Sequence, residues 1–430
     1  MPTPITRGAA SALSFGFLSV SKTHWITFGS QPFILSKVYL LSNVYNGEYV
    51  VSAADGVENL IFFSVAGLNT YQTSRNFTSD LNINSIKSGS SGLWSVGQWV
   101  DVGNEASVLR KSNIYSPYTF TSGVVTDLNH PYYADISTTT QTSNLAVCGQ
   151  YTDGAGTFGM HVGLINNLTL TYVGQRRLVA NYTDTVTVTA IHANQDYIFV
   201  LGTVNNAVWL AQYANSASLP LQWQTKLTPA SGSSTPTSVT AVDFGGSIYM
   251  CANNVLFKFT NAGSLTFQKQ LDTGIVGRTF SATKLVLVGS SIYVAGTVSN
   301  NPGNTTAAIV KFNSSGVLQW SRIFYDDAAN PLMTCNGLEV VSLKFTISGK
   351  DSFDNVFVAN LPTSGDLTGA YSNISPAITY TYADAGWTAS NASFTQSTPT
   401  YTETADSATL SAPPTTYTSV LSRTYYKLPV

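Results

Sequence analysis

The sequence predicts an all-β fold: a seven-bladed β-propeller of four-stranded antiparallel blades, with an extended N-terminal arm and a β-rich C-terminal extension. Three observations carry this reading. A short β-branched or aromatic run that closes on a small residue recurs seven times, ending at Ala53, Gly97, Gly149, Gly202, Ala252, Gly296 and Gly349, at separations of 44, 52, 53, 50, 44 and 53 positions. Most copies continue into a second strand, a turn and a third strand; Lys258 to Phe267 aligns without gaps on Lys311 to Trp320, each with an Asn/Ser/Gly turn between strands. A further β-prone run precedes several copies, as at Val186 to Ile191 and Lys284 to Val288, which makes four strands per copy.

Taken in chain order, residues 1–35 form an arm and first strand, the arm rich in small residues and tipped by Phe15 and Phe17. Residues 36–370 hold the seven copies. A four-stranded repeat of this length describes a propeller blade, whereas solenoid coils are much shorter and sandwiches need no sevenfold repeat. The closing small residue fits the crowding of inner strands towards the axis, where a bulky side chain would clash. Cys148 and Cys251 occupy the repeat position of Ala295 and read as small core groups. Residues 371–430 contain five charged side chains and alternate Tyr and Thr with the period of strands. Such a segment is expected to order against a partner or along the propeller surface, because an uncharged β-prone chain left free is an aggregation hazard.

Composition narrows the function classes. Charged residues make up only 10% of the chain while aromatics reach 12%, which argues against disorder. A net charge of −2 gives no reason to expect nucleic acid or a polybasic membrane contact. No basic and continuously apolar leader opens the sequence, and no apolar run reaches membrane-spanning length, so no membrane insertion is expected. The low charge of the arm and extension predicts ends that bury against neighbouring subunits.

The residues offer little chemistry. His24, His130, His161 and His192 stand apart, with no HxH or HExxH spacing for a metal, and three cysteines make no CxxC pair. No nucleophile elbow, phosphate loop or dinucleotide fingerprint is present, so no catalytic residue, cofactor or metal is expected. Asp326-Asp327 suits a calcium or a turn rather than a paired-carboxylate site, and Arg176-Arg177 suits a solvated strand end.

The segment Gly8-Ala9-Ala10-Ser11-Ala12, followed by Phe15-Gly16-Phe17, resembles segments of structural proteins of tailed bacteriophages, notably marine and cyanobacterial ones, though it lacks a basic residue before Phe15. The Thr-rich extension after repetitive blades looks like the same class, and Asn313 to Trp320 resembles repeats of bacterial extracellular propellers. The resemblance implies a non-enzymatic virion protein of the tail, neck or capsid surface, oligomeric in the particle. It would dock through its termini onto other virion structural proteins. An alternative is a glycan-binding adhesin or fibre-like protein that contacts the host surface through aromatics such as Trp94, Trp99 and Tyr115. A third class, a hydrolase or lyase, would require an acidic ring in the propeller channel.

Overall fold

The computed structural model describes strand backbones from residue 25 to residue 427, with side chains through most of residues 132–406 and several loops outside the description. It is a β-propeller of seven antiparallel sheets. Blade four shows the pattern: Val186–Ala193 is innermost, then Tyr197–Val204, Ala207–Ala214 and Leu221–Pro229 outward. Each innermost strand packs beside those of both neighbouring blades, and Val38–Ser42 of blade one meets Thr334–Val341 of blade seven, which closes the ring.

The repeat residues occupy equivalent places, pressed against the backbone of the innermost strand. In blades two to seven the small residue lies opposite a β-bulge in the innermost strand, as with Tyr133 opposite Gly149 and Cys335 opposite Gly349. A Cβ on Gly149, Gly202, Gly296 or Gly349 would lie 2.2, 2.3, 2.2 or 1.8 Å from the backbone oxygen of Tyr132, Thr187, Ser281 or Thr334. Ala252 is buried at the same place, Gly97 is buried opposite Ile83, and Ala53 pairs with Val38 without a bulge.

The turns that follow the third strands lock neighbouring blades. Gly263, Gly316 and Gly365 adopt positive φ in these turns. A Cβ on them would strike Trp223, Phe267 and Trp320, each on the outer strand of the preceding blade. Lys258 and Lys311 lie over the rings of Tyr249 and Tyr293 and donate from Nζ to the next blade's turn carbonyls, Ser314 at 3.2 Å and Thr363 at 3.4 Å. The residues that make the repeat visible are therefore those that fasten blade to blade.

Both ends of the chain join the sheets. Trp25–Phe28 supplies the outer strand of blade seven, paired with Val356–Pro362. The extension then runs backwards round the wheel as a belt, adding a strand to the outer edge of six blades: Thr379–Asp384 on blade six, Thr388–Asn391 on five, Phe394–Ser397 on four, Thr402–Ala405 on three, Leu410–Ser411 on two and Tyr425–Lys427 on one. Gly369–Ser372 pairs outside Thr379–Asp384. Of the two expectations, a partner or the propeller surface, the described strands of the extension meet the second: they are paired on the chain's own blades, which covers edges that would otherwise template aggregation.

Candidate functional site

Two places gather chemistry-bearing side chains: the channel and the belt. The innermost strands carry Lys87, Asp135, His192, Lys284 and Glu339 from blades two, three, four, six and seven. These groups sense one another across the ring. Repulsion from Lys284, then burial, pushes the Lys87 ammonium below its ordinary range, while Glu339 and Asp135 oppose the shift. Burial raises the Glu339 carboxyl against the pull of the two lysines. Burial, with Lys87 and Lys284, pushes His192 down to about 4, so its imidazole is neutral at physiological pH.

Asp135 is committed to structure. Its Oδ1 accepts from the Ile136 amide at 2.9 Å and the Ser85 hydroxyl at 2.5 Å, and its Oδ2 accepts from the Ile191 amide at 3.0 Å, which ties blades two, three and four together. Among the described residues the cluster has mixed sign. Among the described residues no group of three or more His, Cys, Asp or Glu is placed to hold a metal.

The belt is held by side chains as well as by backbone pairing. Arg176 donates from Nε to Glu403 at 3.0 Å; Arg177 donates to Thr404 Oγ1 at 2.7 Å and to the Tyr151 hydroxyl at 2.6 Å. The arginine pair is a clamp on the belt, not a solvated strand end. Asp326 caps Ser352 from both oxygens at 2.8 Å, and Asp327 accepts from the Thr379 amide at 3.0 Å, so both acidic residues serve turns and the belt's entry.

Three aromatics plug the blade junctions along the belt. Trp387 meets Phe280 at 5.2 Å, Phe394 meets Phe257 at 5.0 Å and Tyr401 meets Trp209 at 4.6 Å between ring centroids. Their spacing of seven residues is a signal that the sequence reading missed.

The remaining sequence candidates divide by location. Trp94 is fully buried, packed between blades two and three with Val96, Tyr133 and Ile136, so it presents no face to a sugar; this corrects its assignment as a glycan contact. Trp99 lies at the end of strand Gly92–Trp99, paired with Leu81 and Glu105, and only its backbone is described. Tyr115, Phe15 and Phe17 lie outside the described residues. The three thiols are buried and held protonated: burial raises Cys148 well above its ordinary value, Cys251 to about 11 and Cys335 to about 12.

No protein-family model matches the chain, and no curated protein matches it. Among solved structures the chain is similar to the WD40 domain of Neurospora crassa Pan2, at 12% identity over 79% of this chain and 96% of that one, with a TM-score of 0.49. It is also similar to a prolyl endopeptidase structure, at 11% identity over 80% of this chain and 56% of that one, with a TM-score of 0.33. The seven-sheet ring, its closure by the N-terminal strand and its outer belt are properties of this chain's own strand pairing, and they make it a β-propeller.

Proposed function

We propose that the protein is a non-enzymatic structural component of a tailed-bacteriophage particle, a rigid propeller that docks other virion proteins. The observation that favours docking is a set of exposed apolar side chains on the connections of the wheel, four on one face and Leu168, Val317 and Leu343 on the other. Ile275, Val276, Leu332 and Phe353 are 52, 104, 50 and 49% exposed. They sit on the outer-to-inner and second-to-third connections of blades five to seven, and antiparallel alternation puts those connections on the same face. Exposed apolar side chains on a rigid surface favour a protein contact where they form a patch. The particle is supplied by the resemblance of the Gly8 to Phe17 segment to phage structural proteins.

The belt changes which parts are available for docking. Residues 379–405 are engaged on the chain's own blades, so contacts to neighbours fall to this face and to the arm carrying Phe15 and Phe17. Cryo-electron microscopy of purified particles tests the reading, with the expectation that the wheel is seated through the face bearing Val276 and Leu332. A normal, infectious particle assembled without this chain overturns it.

A further inference from the structure

Among the described residues the belt leaves a gap at blade six. Residues of the outer strands align through Gly174, Trp223, Phe267 and Trp320, so the next positions, Gln175, Gln224, Gln268 and Ser321, are equivalent. In blade four Gln224 donates to the Tyr401 carbonyl at 2.9 Å, and in blade five Gln268 exchanges hydrogen bonds with the Phe394 backbone at 3.1 and 2.7 Å. In blade six the shorter Ser321 accepts from the Trp387 amide at 3.2 Å and fills less space.

A second filler is missing at the same place. The belt residue opposite Leu178 is Glu403, which reaches to the next blade and accepts from the Leu221 amide at 3.1 Å. The belt residue opposite Leu227 is Gln396, which accepts from the Leu265 amide at 3.0 Å. Opposite Leu271 stands Ala389, whose methyl cannot reach the equivalent Leu318 amide of blade six. At this place lies an open cavity of about 320 Å³ lined by Leu318, Trp320, Ser321, Arg322, Asp384 and Trp387 among others, with Ala389 outside the lining. That volume is at the lower end of small-molecule sites, roughly 300–1,000 Å³.

The lining is specific in its chemistry. Trp387 is 5% exposed, and its indole N–H has no acceptor. The Arg322 guanidinium lies 5.6 Å over the Trp320 ring and holds Asp384 at 3.2 Å, and the Asp384 side chain is 72% exposed. The Arg322 guanidinium, which also donates to the Gly365 and Ser321 carbonyls at 2.8 and 2.9 Å, thus meets a solvent-facing carboxylate acceptor beside an aromatic ring, while the indole nitrogen is itself buried from solvent. Ligand hydroxyls can both accept from such donors and donate to the carboxylate, and the ring offers an apolar wall.

We infer that this gap at the rim of blade six is a binding site for a hydroxyl-rich saccharide unit of monosaccharide size. A sugar oxygen takes the place that Glu403 and Gln396 carboxyl or amide oxygens hold in the neighbouring blades, facing the Leu318 amide, and its hydroxyls bridge to Asp384 and Arg322.

The experiment titrates the full-length protein with a panel of hexoses, N-acetylhexosamines and uronic acids to 50 mM, read by ligand-observed NMR and calorimetry. Ser321→Gln and Ala389→Gln serve as gap-filling variants that copy the other blades. Asp384→Asn keeps the shape of the side chain but removes its charge and replaces one of its two acceptor oxygens with a donor, and Asp384→Ala removes both acceptors. Binding by at least one sugar, weakened tenfold or more by both filling variants and by both Asp384 variants while the melting temperature holds or rises, is expected. Absence of binding across the panel overturns the site, as does binding that the two fillings leave unchanged. Neither result depends on whether the wheel belongs to a virion.

Discussion

His161 Nδ1 and Asp406 Oδ2 lie 2.8 Å apart with their side chains 0 and 4% exposed, and 245 residues separate them in the chain. The pair fastens the belt into the side of blade three, between the edge strands Thr402–Ala405 and Leu410–Ser411. The His161 ring packs against Tyr133 and Tyr172, each 5.9 Å away between centroids, and the two tyrosine hydroxyls hydrogen-bond to each other. Removing one member of a buried pair strands the other, at a cost of about 3 kcal/mol or more. Asp406→Ala is therefore expected to lower denaturant stability by that order and to make the belt beyond residue 405 cleavable under limited proteolysis. A variant with unchanged proteolytic pattern would show that strand pairing alone holds the belt.

The bulge geometry predicts a sharp contrast between equivalent positions. Gly349→Ala drives a Cβ to 1.8 Å from the Thr334 oxygen, a backbone atom that cannot move without breaking the innermost strand. Destabilisation of about 3 kcal/mol is expected. Ala252→Gly, at the same repeat position, is expected to cost only about 1 kcal/mol. Urea unfolding of the two variants measures both, and equal losses would dismiss the bulge as the reason for small residues.

The belt's aromatics should carry packing energy beyond that of their strands. Trp387→Ala empties the junction against Phe280 and is expected to cost about 3 kcal/mol, a loss of several degrees in Tm. Truncation after residue 378 uncovers the outer edges of six blades. The shortened chain is expected to form edge-paired aggregates, detected by light scattering, while a stable monomer would contradict a protective role for the belt.

The channel predicts a pH dependence whose sign follows from His192. Its folded pKa of about 4 lies below the unfolded value of about 6.5. Between those values the unfolded chain binds a proton that the folded one refuses, so the stability present above pH 6.5 is lost as pH falls towards 4, by roughly 3 kcal/mol in all. The raised Glu339 carboxyl has the opposite slope, so the contrast is made between the protein and His192→Gln. Urea unfolding at pH 4.5 and pH 7.5 should show a smaller acid loss in the variant, and an identical loss in both would place the titrating groups elsewhere.

Much of the wheel could be read along the chain because its marks are local. A glycine in the turn after the third strand, a small residue closing the second strand and the four-strand rhythm all recur within one copy, and blade count followed from them. The bulge opposite the small residue was hidden, since a bulge is a mismatch of register between two strands and leaves no fixed residue type. The belt was half visible. Alternating Tyr and Thr announced extended chain, and Trp387, Phe394 and Tyr401 stood seven apart, but edge pairing is made by backbone groups that every residue carries. The arginine clamp at Arg176 and Arg177 escaped for the same reason: its partners, Glu403 and Thr404, lie 227 positions away.

The low charge of the chain illustrates the division. Residue types alone decided that so little charge, in a chain so rich in aromatics, belongs to extended segments that must be covered, because exposed uncharged strands associate. Folding decided what covers them. Antiparallel pairing is indifferent to whether an edge belongs to the same chain or to a neighbour, and the choice fell on the chain's own blades once the N-terminal strand closed the ring and left six outer edges open for the belt. The rim gap at Ser321 and Ala389 has the same origin: two small residues about 70 positions apart acquire a joint meaning only where the belt crosses blade six.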